Sequence, residues 1–504
     1  MERESSCRAF LDYYDDVGAN RIVHVKAEID AFYCLTMMIF RADDRFGPLS
    51  VTVEGKVILV LGCGITGLSI IRWFVQKGAI VVLADSRVEA PGFAQIRHEY
   101  PEIKIYTGPF KDYIFTDIDV VVSSPGISLR DIPLQKLKKL GIPVVGDIEV
   151  FYQETLKYRN SKVVAITGTN GKSTVTRMVE SVLNACSLDA VAVGNIGIPV
   201  LDVLSQIELG AREIPDVFVL EMSSFQIDTT HSFESDVSVV LNVSEDHLDR
   251  YPDFDAYLQS KCRIYSGRGI KVVNRDEPLL RATSGLDGAI TFGLSPPDTD
   301  RSWGVSEIAG DQWLVCGTQQ ICKCNDLRVT GQHNVSNALA ALALSSAIVP
   351  VNEAGVRGLL SYEGLDHRMQ WVADISGVQF YNDSKATNVG ATAAAISGIP
   401  TSCVLLLGGQ SKQQNFDVLV ETIRQKVRAV VLMGQDAQVI KQRIERAGVE
   451  IFDAADLMNA VRIASKIAEP GEVVLFSPAC ASFDMFDNYE HRGDMFTDAV
   501  RSLA

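Results

Sequence analysis

The sequence predicts an α/β protein of three domains with largely parallel sheets. Its length, 504 residues, is too great for one core, and roughly three domains is the expectation. From Lys56 onward, short β-branched and aliphatic runs alternate with helical patterns, the order that builds parallel sheets covered by helices. Several of those runs end in Gly- or Ser-rich polar turns, notably Gly62–Gly67, Gly168–Thr174 and Gly408–Lys412. Ligands of open α/β sheets bind at such strand ends.

Composition narrows the class. A hydrophobic content of 47% with 22% charged residues is ordinary for a soluble enzyme. The formal charge of −16 argues against non-specific nucleic-acid binding and against docking to an anionic membrane surface. No apolar run reaches the length of a membrane span. The ten cysteines are scattered, and Cys322-Lys-Cys324 lacks a second pair or histidines at zinc spacing, so free thiols in a reducing cytoplasm are expected. Residues 1–50 carry charges throughout, and their one apolar patch, Ala31–Phe40, has neither a clean basic start nor a small-residue cleavage site. They read as a poorly ordered extension, or as sequence upstream of a start at Met37 or Met38.

The first unit, 51–146, opens with the buried strand Val57–Leu61 and the turn Gly62-Cys-Gly64-Ile-Thr-Gly67 before a helix. The next strand ends in Ala84-Asp85-Ser86-Arg87. An acid about twenty residues past the glycines is what a Rossmann-type fold uses to hold a ribose. Taken alone this suggests NAD, but the glycine pattern is weak by itself and Arg87 suits other nucleotide parts. Ser124-Pro125-Gly126 ends a later strand.

The second unit, 147–363, is organised around Val163 to Ile166 and the turn Gly168-Thr169-Asn170-Gly171-Lys172-Ser173-Thr174. Val175, Met178, Val179, Val182 and Leu183 then form one apolar helix face. A strand, a Gly-rich turn and a helix N-terminus make an anion site, because free N–H groups and the helix dipole both favour negative charge. Lys172 supplies a cation for β- and γ-phosphates, and Ser173 or Thr174 a hydroxyl for magnesium. The spacing is two residues shorter than the general phosphate-loop pattern. Val217–Leu220 runs into Glu221, and Val237–Val243 into Ser244-Glu-Asp-His247. Those two side chains suit magnesium bridging ATP phosphates to a second anion. The competing roles are a helix-entry cap acid for Glu221 and a structural histidine for His247. Asn195 suits substrate contact or a turn cap. Asn334, before an Ala/Leu-rich helix, suits nucleotide contact or an N-cap.

The third unit, 364–504, places Asn382-Asp383-Ser384-Lys385-Ala-Thr387-Asn388, Gly408-Gly-Gln-Ser-Lys412 and Ser477-Pro-Ala-Cys-Ala-Ser482 at strand ends. Lys385, Lys412, Thr387 and Ser482 could converge on an anionic substrate, although surface lysines are usually solvated. On residues alone, a kinase, a motor NTPase and an ATP-dependent ligase all fit the phosphate loop. An NAD-binding dehydrogenase or regulator fits only Gly62, Gly64, Gly67 and Asp85.

Seven stretches, in order, decide among these: Gly168–Thr174, Glu221–Gln226, Asn242–Arg250, Gly331–Asn334, His367-Arg368, Asn382–Asn388 and Ser477–Ser482. Together they resemble the Mur ligase family over about 55–504. The last two, with Gly364-Leu-Asp-His-Arg368, look most like its D-glutamate-adding members. The resemblance implies a UDP-binding Rossmann-like first domain, a central ATPase-like phosphate-loop domain and a Rossmann-like amino-acid domain. It implies cytoplasmic peptidoglycan-precursor synthesis by a monomer: ATP phosphorylates the carboxylate of UDP-N-acetylmuramoyl-L-alanine, and the amine of D-glutamate attacks the acyl phosphate. Folylpolyglutamate synthetases and Mur ligases for other amino acids are the neighbouring alternatives.

By the same resemblance, Gly168–Thr174 with Asn334, Arg368 and Asp383 bind ATP, and Lys172, His247 and Lys261 serve catalysis. Two magnesium ions are implied, one on Ser173 and Glu221, the other on His247 and a carbamylated Lys261. Ile65, Thr66, Asp85, Ser86, Arg87 and Gly126 match the UDP pocket and Asn195 the muramoyl region, which reassigns the glycine turn from NAD to UDP. Lys385, Thr387, Lys412, Ser482 and Tyr489 match the D-glutamate site. Two departures touch that pocket: Gln410 stands where an acid is usual nearby, and Tyr489 where phenylalanine often covers the amino acid. Residues 1–50 have no family counterpart.

Overall fold

The computed structural model describes residues 53–503 apart from 159, 248, 285–287, 330 and 413. The expected N-terminal extension, 1–50, lies outside the described residues. Three sheets, of five, nine and six strands, follow one another along the chain, as the α/β pattern predicts.

In the first sheet the strands run Lys104–Thr107, Ile80–Asp85, Val57–Leu61, Val120–Ser123 and Val144–Gly146, side by side, all parallel. Strand order reverses between Val57–Leu61 and Val120–Ser123, and a crevice opens at that point in such sheets. Both strands are apolar on both faces because helices cover both sides. Gly62 leaves the first of them at φ +90°, where an added Cβ would lie 2.1 Å from Ser124 Oγ. A second such limit is Gly67, whose Cβ would meet Gly62 O at 1.9 Å. The glycine pattern is thus a packing requirement here, whatever ligand it serves.

The central sheet has Lys162–Thr167 between Val217–Glu221 and Val237–Val240. The second of these flanking strands ends three residues earlier than the apolar run predicts, and Leu241–Val243 continue as coil toward His247. The helix Lys172–Ala185 buries Val175, Met178, Val179, Val182 and Leu183 completely. At roughly 1.5–3 kcal/mol per side chain, this stripe anchors the helix, and with it the phosphate loop, by on the order of 10 kcal/mol before entropy. Behind it lies Gln332–Ser346, in which every residue from Ala338 to Leu344 is inaccessible. A helix apolar all round must be interior. Beyond Ile290–Phe292 the sheet ends in a meander, Ser302–Ile308, Asp311–Cys316 and Gln319–Lys323, the last two pairings antiparallel. Cys322, within it, and Cys324, just after it, are buried free thiols.

The third sheet sets Val473–Phe476 between Val378–Asn382 and Cys403–Gly408, with Val427–Met433 and Glu450–Asp453 beyond. These pair in parallel, and Gln370–Ile375 adds an antiparallel edge. In each of the three sheets, then, the polar turns follow strands that lie side by side: Ile80–Asp85, Val57–Leu61 and Val120–Ser123 in the first, Val237–Val240, Lys162–Thr167 and Val217–Glu221 in the second, and Val378–Asn382, Val473–Phe476 and Cys403–Gly408 in the third.

Candidate active site

The phosphate loop is shaped by its neighbours as much as by its glycines. Gly171 caps the helix at φ +82°, and an added Cβ would meet Asn337 Oδ1 at 2.5 Å. Asn242, just past Val237–Val240, clasps the loop: its Oδ1 accepts from Asn170 N at 2.8 Å and its Nδ2 donates to Asn170 O at 3.1 Å. Thr169 Oγ1 lies 3.2 Å from Tyr257 OH and accepts from Ser244 N at 3.1 Å. Lys172 Nζ donates to Gly168 O and Thr169 O, both at 2.9 Å. Burial pushes this lysine below its usual range, with Arg368 and Lys412 adding to the effect against the pull of Glu221 and Asp246.

Around the loop the structure gathers Glu221, His247 and Lys261. Glu221 is 1% exposed; its Oε1 accepts from Asn195 Nδ2 at 2.9 Å, while its buried Oε2 has no hydrogen-bond partner. It is not a helix cap, because Ser223 fills that role in a capping box with Gln226. Asn195 therefore sits with the central acid rather than with the first-domain residues. His247 adopts φ +56° and sets its ring edge-on to Phe225, 4.8 Å between centroids. Burial pushes its imidazole down to about 4 despite Asp246 beside it, so it is neutral at pH 7. Lys261 is 1% exposed, donates to Gly168 O at 2.9 Å and lies over the Tyr257 ring at 4.6 Å. Burial, and then Lys172, push it well below the usual lysine range.

The third unit closes over this site. Arg368 Nη2 donates to Ser173 Oγ at 2.8 Å. Asn388 caps the helix Val389–Gly398 through its Oδ1, and its Nδ2 reaches Asn170 Oδ1 at 3.1 Å and Asp246 Oδ2 at 3.3 Å. Lys412 Nζ lies 3.8 Å from Asp246 Oδ1. Antiparallel bonds between Gln410 and Ala481, 3.0 and 2.9 Å, bring the Lys412 loop alongside Ser482. Lys385 Nζ sits 3.6 Å above the Tyr489 ring, and burial, with Arg368 next, pushes its ammonium down to about 7. Non-glycine residues with φ above zero mark the same place. Of the nine among the described residues, His247, His367, Met369, Lys412 and Ala479 lie on the loops of this region, where strain of about 1–3 kcal/mol each persists only if the surroundings impose it.

One competing role falls away. Asn334 is not an N-cap: Gly331 holds that position, and Asn334 Oδ1 instead accepts from Asn337 Nδ2 at 3.1 Å, behind the phosphate loop. Asp383 turns its carboxylate into its own domain, accepting from Met369 N at 3.2 Å and Ser477 Oγ at 2.8 Å. Burial pushes it up to about 7, and its bond from Met369 N ties it to the turn that carries Arg368. Sequence reading gave no individual role to Asn242, Asp246 and Asn388, although they lie in the stretches Asn242–Arg250 and Asn382–Asn388, and none at all to Asn337 and Arg492. For Asn337 the available signal was an Asn pair at i and i+3 opening a helix.

Farther off, at the ends of the first sheet, Asp85 accepts from Cys63 N at 2.8 Å and from Arg87 N, Nε and Nη2 at 2.9, 2.9 and 2.7 Å. Burial would raise this carboxyl, but those bonds outweigh it and hold it below its usual value. A carboxylate so occupied is poorly placed to take a ribose diol, which weakens the NAD reading. Ile65 is 76% exposed on the same rim, beside Thr66, and Ser86 and Gly126 belong to the adjoining turns.

Family models match the chain in three consecutive pieces: the Mur ligase MurD-like N-terminal domain over 56–146, the Mur ligase middle domain over 166–345, and the Mur ligase glutamate ligase domain over 367–480. The chain belongs to the Mur ligase family. It is 44% identical over 452 residues to the UDP-N-acetylmuramoylalanine--D-glutamate ligase of Methylobacillus flagellatus, covering 90% of this chain and 98% of that protein. To the ligase of that name from Thiobacillus denitrificans it is 45% identical over 467 residues, covering 90% and 97%. Among solved Mur ligases, UDP-N-acetylmuramate-alanine ligase from Thermotoga maritima superimposes with a TM-score of 0.56 at 18% identity, over 89% of this chain and all of that one. The MurF ligase of the same organism, solved with ADP, gives 0.56 at 16% identity over 90% and 96%. No helix among the described residues is long and apolar enough to cross a membrane.

Proposed function

We propose that this Mur ligase joins D-glutamate to UDP-N-acetylmuramoyl-L-alanine at the expense of ATP, releasing ADP and phosphate. Its identity of 44% to a D-glutamate ligase across nearly the whole of both chains carries the reading. On this reading it works as a cytoplasmic monomer on small molecules. A free carboxylate is a poor electrophile, so the uridine substrate's terminal carboxylate first takes the γ-phosphoryl group. The neutral D-glutamate amine then attacks the acyl carbon, the C–O bond to phosphate breaks, and the nitrogen gives up one proton, which the departing phosphate or solvent takes, as the amide forms.

Each group has a task that its environment suits. Within Gly168–Thr174, the N–H groups at the start of the helix Lys172–Ala185 and the Lys172 ammonium hold the ATP phosphates, while Arg368 and Asn334 meet the rest of the nucleotide and Asp383 fixes Arg368. Ile65, Thr66, Asp85, Ser86, Arg87 and Gly126 line the uridine pocket, with Asn195 nearer the sugar. Lys385 and Lys412 pair with the D-glutamate carboxylates, with Thr387, Ser482 and Tyr489 around them. Positioning supplies most of the rate in such a reaction.

The residues fit divalent cations. Among the described residues no three of His, Cys, Asp and Glu converge, so a site here must use hydroxyl, phosphate or modified-lysine oxygens as well. The partnerless buried Glu221 Oε2 and the neutral His247 are suited to that. Ser173 with Glu221 would hold one magnesium, and His247 with a carbamate on Lys261 a second; the ions would neutralise phosphoryl charge.

Phosphate release from ATP plus UDP-N-acetylmuramoyl-L-alanine, measured with a panel of amino acids, tests the assignment. D-glutamate should be preferred at least tenfold over L-lysine and diaminopimelate, because an unmatched buried charge costs about 1.4 kcal/mol or more. Equal rates would sink it.

Lys385 gives a pH prediction. Its folded pKa of about 7 lies below that of the unfolded chain, so the unfolded state binds more protons between about pH 7 and 10.4. This group therefore costs stability fully below pH 7, and the cost fades as pH rises through that window. A D-glutamate carboxylate beside Nζ reverses the shift. Calorimetry near pH 8.5 in buffers of different ionisation enthalpy should show uptake of about one proton on binding, absent in Lys385→Met.

A further inference from the structure

The turn that presents His247 also presents a cation with no part in the reaction just described. Arg250 N donates to His247 O at 2.8 Å, so both side chains leave one turn. The Arg250 guanidinium crosses to the first domain. It donates through Nη1 to Gly126 O at 3.2 Å, and through Nη2 to Pro125 O at 3.4 Å and Ile127 O at 2.9 Å. Its Cζ lies 4.2 Å from the centre of the Phe225 ring, the ring whose other neighbours are His247 at 4.8 Å and Tyr251 at 6.0 Å. At the same junction Arg130 Nη1 donates to Asp249 O at 3.4 Å.

We propose that Arg250 is a positioning residue that sets the distance between the uridine pocket and the phosphate site. The inference rests on the function proposed above. A UDP-linked carboxylate must be gripped in the first domain and delivered to the second, so the reach of its tail has to match the gap between them. A planar fork meeting three consecutive carbonyls, and stacked on the wall of the His247 site, holds that gap fixed. Arginine can do this because its donors are fixed in one plane and it stacks on aromatic faces; lysine is a point donor that does neither. The loop has support besides Arg250. The loop is tied within its domain by Ser124 N and Oγ to Leu61 O, at 2.9 and 2.8 Å, and by Ile127 N to Ser124 O at 3.1 Å.

The test compares two ligands on the full chain. Calorimetric titration of wild type, Arg250→Ala and Arg250→Lys with UDP, and separately with UDP-N-acetylmuramoyl-L-alanine, should leave UDP affinity within about twofold. Affinity for the whole substrate should fall roughly tenfold or more in Arg250→Ala, with KM for that substrate rising in step and KM for ATP unchanged. Arg250→Lys should lie between, and it serves if the alanine variant fails to fold. Equal losses for UDP and the whole substrate, or no loss for either, would overturn the proposal. A wild-type chain that binds UDP but not the substrate's tail overturns the functional reading itself, a distinct result.

Discussion

Replacing Lys261 by alanine is expected to lower ligation roughly a thousandfold, the scale of removing one preorganised electrostatic group from a phosphoryl- or acyl-transfer site. The loss should resist bicarbonate and be partly repaired by acetate or formate. Lys261 is nearly inaccessible, and burial with Lys172 beyond it holds its pKa well below the usual lysine range, which favours the neutral amine over the ammonium. The neutral amine can add to carbon dioxide: the N–C bond forms and one proton leaves to solvent, so that, counted from the ammonium, two protons are lost in all and a cation site becomes an anion. That change turns repulsion from Lys172 into attraction and provides oxygens where the metal inventory is otherwise short. A small carboxylate diffusing into the space left by the alanine would restore the anion, whereas bicarbonate has no amine to modify. The assay is phosphate release in variant and wild type with each additive. Full activity in Lys261→Ala would remove the carbamate from the mechanism.

The parts of this molecule that the sequence revealed are those written locally. Runs such as Val57–Leu61 and Val163–Ile166 are buried on both faces, and a strand of that kind is apolar without interruption. The phosphate loop is legible because strand, glycines, lysine and helix are contiguous. Glu221 and His247 are legible because Glu221 ends such a strand and His247 lies in the polar turn that follows the apolar run Val237–Val243. The residues that were missed act across distance. Asn388 meets Asn170 over 218 positions, Asp246 meets Asn388 over 142, and Arg250 reaches Gly126 over 124. No local periodicity encodes such partners. The meander Ser302–Lys323 was missed for another reason: its strands alternate buried and exposed residues irregularly, with a register shift between Leu314 and Val315, which blurs a period of two.

The meeting of the third domain with the phosphate loop joins two chemistries. Arg368 on Ser173 and Asn388 on Asn170 couple the elements proposed to hold the amino acid to the loop proposed to hold ATP. Asn388 performs both parts with one side chain, its oxygen capping a helix and its nitrogen reaching the loop. Lys412, on Asp246 in this arrangement, is the cation proposed to take a D-glutamate carboxylate, so the amino acid competes with Asp246 for it.

Arg492→Leu is expected to destabilise the third domain by about 3–5 kcal/mol, the usual result of removing one partner from a buried charged network. Arg492 is 1% exposed. Its Nε donates to Ser384 Oγ at 2.9 Å, Nη2 to Ser384 O at 2.6 Å and Nη1 to Cys480 O at 3.0 Å. Burial pushes even this guanidinium down to about 10, a sign of how fully it has left water, yet it stays charged at pH 7. Leucine approximates the aliphatic stem but leaves the Ser384 hydroxyl and two carbonyls without a donor in a place water does not reach. Ser384 lies between Asp383 and Lys385, and Cys480 two residues before Ser482, so the same guanidinium joins two loops of the proposed D-glutamate site. The melting midpoint should therefore fall by roughly 10 °C, and in the fraction that folds, KM for D-glutamate should rise while KM for ATP changes little. Differential scanning calorimetry and substrate-varied kinetics on the same preparation check both. An unchanged midpoint would mean that the two loops are held by other contacts, such as the Gln414 bonds to Ser411 O and Ala479 O.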